Sequence, residues 1–217
     1  TIATTHTQAR YVLPPVIKRF TARYPKVKLI LRQGSPTQIS TLVTSGEADV
    51  AIATEAIDQF HELILLPCYQ WNRCIVVPPK HSLLKLKKLT LEAINQYPII
   101  TYDFAFTGRS KINQAFESRG LEPNVVLTAI DSDVIKTYVE LGLGIGILAN
   151  MAFDAKRDKN LRSIDASHLF EPTTTRIGIS RNTYLRGYIF DFIEMFAPHL
   201  NHANIQAKLD NSETDAV

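Results

Sequence analysis

The strongest constraint on this chain is an alternation that occurs twice: a short apolar strand, a junction of small polar residues, then an amphipathic helix. In the first series an apolar start at residues 1–4 leads into Ala9, Val12, Leu13, Val16, Ile17 and Phe20, spaced as one buried helix face. The spacing predicts a helix over 6–23, with a bend or irregular first turn where Pro14 and Pro15 remove two backbone donors. A strand is expected at 27–31. Ser35-Pro36-Thr37-Gln38 then combines a capping serine, a proline at the first helical position and a glutamine three residues on. Ile39, Leu42 and Val43 supply the inner face of that helix, Gly46 stops it, and residues 49–53 form the next strand.

Strands are expected at 63–67 and 69–77, the second long enough to cross between two halves of the molecule. The alternation then restarts: helix 90–96, strand 98–101, helix 110–119 with Ile112, Ala115 and Phe116 inward, strand 125–129, helix 132–141 capped by Asp131, and strand 145–148. A strand at 174–180 and a helix at 185–197 carrying Ile189, Phe192, Ile193 and Phe196 follow, and the polar tail from 201 is expected to be mobile. Strand–helix–strand units imply parallel sheets with right-handed crossovers. Two such α/β lobes place a ligand between them, at the carboxyl ends of the strands.

With 45% hydrophobic and 21% charged residues, 217 residues build an ordinary globular core. A net charge of +3, scattered along the chain, does not mark a nucleic-acid surface, and the run from Lys80 to Lys88 reads as a solvated loop. No apolar stretch is long enough to span a bilayer and no secretory leader is visible, so the expectation is a cytoplasmic protein away from membranes. Cys68 and Cys74 read as reduced, mostly buried thiols. The chain opens at Thr1 already inside a strand, which reads as a piece of something longer.

Gly142-Leu143-Gly144-Ile145-Gly146 is no nucleotide fingerprint: it follows a helix and opens a strand, the reverse of a phosphate-cradling loop. It reads as a helix stop with close backbone packing. The six histidines form no metal set, no Gly-x-Ser-x-Gly elbow is present, and His6 has no acid nearby in sequence to orient it. No catalytic pair and no cofactor are therefore expected. Hydroxyl and amide side chains instead recur at the strand ends: Thr4-Thr5-His6-Thr7-Gln8, Gly34-Ser35-Pro36-Thr37-Gln38, Thr54, and Phe106-Thr107-Gly108-Arg109-Ser110. Each alone suits a helix cap. Together with Trp71 on the crossover strand they suit a polar ligand, because unpaired helix-start amides beside hydroxyls attract anions.

Phe20 to Leu29, Gly46 to Ile52 and Val139 to Ile147 resemble the effector-binding domain of LysR-type transcriptional regulators. The runs Thr4 to Tyr11, Gln33 to Gln38 and Phe106 to Ser110 are similar to the sulfur-assimilation branch, CysB and Cbl, and divergence in loops and tail leans toward Cbl. The resemblance implies two Rossmann-like subdomains with a central interlobe cleft, of the periplasmic-binding-protein-like type II. Subdomain I would hold 1–68 and 173–200, subdomain II 69–172, and 201–217 a tail, with a winged helix-turn-helix absent from this chain. It also implies a ligand set of Thr5, Thr7, Gln8, Thr54, Trp71 and Thr107, with Ser35 a weaker member. The effector would be a sulfate-like anion, thiosulfate, acetylserine or adenosine phosphosulfate. Implied partners are a second copy (a dimer of effector domains, a tetramer at full length) and, through the full-length protein, promoter DNA and RNA polymerase. The rival from another class is an exported solute-binding protein for a small oxyanion; an enzyme fits less well still.

Overall fold

A computed structural model describes residues 1–54, 57–58, 60–104, 109–181 and 184–214, with side chains to 209. The chain divides into two compact units, Thr1–Gln70 with Thr174–Val217, and Trp71–Thr173.

The first unit begins with β1 (Ile2–Thr4) and a helix whose opening turns are distorted: a π turn over Gln8–Val12 precedes the regular α1 (Leu13–Arg23). Pro14 and Pro15 lack the amides that would bond one turn back, and the Leu13 amide reaches five residues back to the Gln8 carbonyl instead. The irregular start expected from the two prolines is thus present. Strand β2 (Leu31–Gln33) lies later than the 27–31 expected. Its length is dictated by β1, its one partner among the described residues, which bonds it through Ile2–Leu31, Ala3–Arg32 and Thr4–Gln33. Val27 and Leu29, which suggested the earlier start, pack against the core without joining the ladder. Helix α2 (Pro36–Thr44) carries the full reciprocal cap between Ser35 and Gln38 and ends before Gly46, whose φ of +78° suits glycine. Strand β3 (Val50–Ala53) returns beside β1, and β4 (Leu63–Trp71) runs unbroken through Pro67. The break expected near residue 68 falls at Asn72, because β4 is an edge strand and an edge tolerates a missing donor.

In the second unit β5 (Arg73–Val77) is followed by α3 (Leu91–Ile94), β6 (Ile99–Tyr102), α4 (Arg109–Glu117), β7 (Val125–Ala129), α5 (Ser132–Glu140), β8 (Ile145–Ala149) and β9 (Arg162–Asp165). The sheet order is β7-β6-β8-β5-β9: the first three are parallel, and β5 pairs antiparallel with β8 and β9. β9 had no counterpart in the sequence reading, since Arg-Ser-Ile-Asp offers one apolar residue and its edge position leaves it largely exposed. The first unit closes with β10 (Thr173–Ser180), α6 (Gly187–Phe196) and α7 (His202–Thr214), giving a sheet of order β2-β1-β3-β10-β4. The segment expected to be a mobile polar tail is helical. Ile205 is fully buried, Leu209 packs on the core one turn later, and the His202 ring stacks on Phe190 at 3.9 Å.

Period-2 alternation explains both faces of the first sheet. Ile2, Val50 and Ile52 point to the side covered by Phe20 of α1 and Phe192 of α6. Ala3, Ala51 and Ala53 point to the other side, where their small side chains let α2 approach through Ile39 and Val43. Cys68 and Cys74 are free and buried, and burial pushes their thiols up to about 12 and about 11.

The glycine run behaves as its order implies. Gly142 ends α5 at φ +79°, whereas a methyl at Gly144 would sit 2.4 Å from the Pro98 carbonyl oxygen, which accepts the Ile145 amide. Gly144→Ala is therefore expected to cost about 2–3 kcal/mol by overpacking, and Gly142→Ala about 1–2 kcal/mol through left-handed strain; urea melts of the two variants measure the ranking. Alkylation checks the cysteines. In the folded protein at about pH 8 iodoacetamide should label neither thiol, since both stay protonated and buried, and denaturation should expose both.

Candidate anion-binding site

Parallel pairing sets Thr4 opposite Ile52, so β1 and β3 leave the first sheet at the same edge. Thr5 and the helix start follow β1, and Thr54 follows β3. β10 runs antiparallel to β3 with Arg176 opposite Ala53, which puts Thr175 at that same edge beside Thr54. Thr5, Thr7, Gln8 and Thr54 are each at most 3% exposed, so their polar atoms are withdrawn from bulk water.

The Ala9 amide bonds the Thr5 carbonyl, which places the helix start at Thr5 and leaves the amides of His6, Thr7 and Gln8 without partners inside the helix. The Thr7 hydroxyl is buried and, among the described residues, has no hydrogen-bond partner; the same holds for His6 Nδ1. An orphaned buried hydroxyl costs about 1–3 kcal/mol, which a bound acceptor would offset. Thr4 is different: its hydroxyl donates to the Ile52 carbonyl at 3.1 Å and is spent on holding β1 to β3.

Gln8 is held at both ends. Its Nε2 donates to Thr175 Oγ1 at 3.2 Å, and the Tyr69 hydroxyl donates to its Oε1. Tyr69 and Thr175 were not among the residues expected from sequence. Tyr69 reads as one more aromatic of an apolar strand and Thr175 as one of three consecutive threonines, so only the tertiary pairing with Gln8 distinguishes them.

The remaining predicted residues divide. Ser35 Oγ accepts the Gln38 amide at 3.3 Å and so serves the α2 cap. Trp71 belongs to the second unit, where it is buried with the Arg73 guanidinium 5.3 Å from its ring centre. Arg73 in turn donates to the Glu171 carbonyl at 3.0 Å and to Thr173 Oγ1 at 2.9 Å. Thr107 lies outside the described residues. Its neighbour Arg109 donates to the Tyr102 carbonyl and to Asn113, and burial lowers its guanidinium pKa.

Thr5, Thr7, Gln8 and Thr54 carry no charge. The arrangement can offer hydroxyl, amide and peptide N–H donors to an anion.

Among the described residues no helix is long and apolar enough to cross a membrane. Residues 1–201 match the family model described as LysR substrate binding domain. The chain is 57% identical over 208 residues to the HTH-type transcriptional regulator SsuR of Burkholderia cenocepacia, covering 96% of this chain and 68% of the relative. It is 54% identical to the HTH-type transcriptional regulator CysB of the same organism, covering 96% of this chain and 67% of the relative. The crystal structure of the cofactor-binding domain of the Cbl transcriptional regulator superposes with a TM-score of 0.92 at 44% identity, covering 96% of this chain and 91% of that one. Identity is higher to CysB than to Cbl, the reverse of the leaning drawn from loops and tail. The two α/β sheets are those of the periplasmic-binding-protein type II fold, and the chain belongs to the LysR substrate-binding-domain family.

Proposed function

We propose that this chain is the effector-sensing part of a cytoplasmic, non-enzymatic transcriptional regulator of sulfur-related genes, and that it binds a small sulfur-related anion at the strand ends of the first unit. The observation that carries the reading is the buried, unpartnered Thr7 hydroxyl in the first turn of a helix, beside Thr5, Gln8 and Thr54. Neutral donors stabilise a permanently ionised ligand such as sulfate without a counter-charge that would have to be desolvated, and the helix-start amides add their partial positive charge. The similarity to the named regulators SsuR, CysB and Cbl supports a regulatory rather than a catalytic or transport role.

In this reading the ligand acts through differential affinity. It favours whichever conformation gathers more of these donors, and the bias passes to the DNA-binding part of a homo-oligomeric regulator that meets promoter DNA and RNA polymerase. Sulfate, thiosulfate, acetylserine and adenosine phosphosulfate are the ligands to compare. A ligand at 100 times its dissociation constant adds about 2.7 kcal/mol to stability, so thermal melts with each of the four rank them directly.

The sharpest test is Thr7→Val, which keeps the side-chain shape and removes the orphaned hydroxyl. Stability should hold or rise by up to about 1 kcal/mol in urea melts, while affinity for the best ligand falls about tenfold by titration calorimetry. Unchanged affinity in a folded Thr7→Val variant would refute the site.

A further inference from the structure

Gln8, Tyr69 and Thr175 form a closed ring of hydrogen bonds. The Tyr69 hydroxyl donates to Gln8 Oε1, Gln8 Nε2 donates to Thr175 Oγ1 at 3.2 Å, and Thr175 hydrogen-bonds back to the Tyr69 hydroxyl. Within the ring the amide spends one N–H and one lone pair. Burial pushes the Tyr69 phenol up to about 12, so it stays a donor at any physiological pH. Gln8 and Thr175 are 1% and 0% exposed.

The ring bears on ligand binding because of where its members stand in the sheet. The order β3-β10-β4 puts Thr175 on the strand next to Thr54 and Tyr69 one strand further away. The Nε2 end of Gln8 therefore lies on the Thr54 side, with one N–H that the ring does not use, and its oxygen lies on the Tyr69 side. A ring of opposite sense, with the amide turned over, also satisfies all three side chains; it would set the carbonyl oxygen on the Thr54 side, where it repels an anion.

We infer that Tyr69 and Thr175 are positioning residues for the anion site: they hold the Gln8 amide in place, and a bound anion selects the sense that presents its N–H. This inference rests on the anion-site reading above. It makes Gln8 a donor of one bond to the ligand and couples anion selectivity to the two side chains bonded to its amide. Removing either hydroxyl breaks the ring. The amide then keeps a single partner and can rotate away from both ring geometries, so its N–H is aimed at the ligand only part of the time.

The test compares wild type, Tyr69→Phe, Thr175→Val and Thr175→Ser by titration calorimetry with sulfate, with Thr7→Val as the control. Thermal melts verify folding, and the Gln8 side-chain NH₂ signals are followed by ¹⁵N NMR. Tyr69→Phe and Thr175→Val should each weaken sulfate binding about five- to tenfold. Thr175→Ser restores the hydroxyl and should stay within about twofold of wild type. In wild type, sulfate should shift the Gln8 NH₂ signals. Folded Phe and Val variants that bind as wild type does, a Thr175→Ser variant as weak as Thr175→Val, or Gln8 NH₂ signals unmoved by sulfate in wild type would each overturn the positioning role. If the Phe variant does not fold, the Ser/Val pair and the wild-type spectrum still decide. Weakened binding in Thr7→Val alone would sink the ring and leave the anion site standing; no sulfate binding by wild type would sink both.

Discussion

The parallel pairing of β1 with β3 is the interaction from which the candidate site follows. Three residues of β1, tied to β3 by the ladder and by the Thr4 hydroxyl, fix where the chain turns into its first helix and where Thr54 emerges beside it. The same three residues decide the packing. With Ile2 on one face and Ala3 on the other, the register commits the bulky side to α1 and α6 and the small side to α2. A slip of one residue would exchange those faces, so the hydrophobic pattern that builds the core also holds the polar strand ends together.

Much of this was legible in the residues because it is local. The α2 cap, the Asp131 cap of α5, the glycine stops and the apolar periodicities each depend on neighbours within a turn. What was not legible depends on partners far along the chain. The start of β2 is set by β1, roughly thirty residues earlier, and the continuity of β4 through Pro67 is set by its place at the sheet edge. The helix after Asn201 was missed because, among the described residues, its aliphatic contacts with the core come from Ile205 and Leu209, too few for a period to show. At the site, Thr5, Thr7, Gln8 and Thr54 stood out as hydroxyls and amides at predicted strand ends, whereas Tyr69 and Thr175 are separated from Gln8 by 61 and 167 positions.

A site of neutral donors differs from one built on lysine or arginine. It gathers several partial charges at fixed positions and pays little to dehydrate itself, so recognition depends on how well the donors are aimed rather than on how much charge is present. Aim is what the surrounding hydrogen bonds supply. The Thr4 hydroxyl, the Ser35–Gln38 cap and the bonds on Gln8 each remove a degree of freedom from a strand end without themselves adding charge.

The wide turn at Gln8–Val12 carries a consequence for how this region can change over time. Five residues fill a coil that ordinarily takes fewer, and Pro14 and Pro15 keep it that way by withholding the amides a tighter winding would use. The azimuth at which Gln8 leaves the helix axis is thus governed by two exposed imino acids downstream. A drift at either proline would let the coil rewind and swing Gln8 around the axis, so positions with no chemistry of their own are bound to the ones that have it.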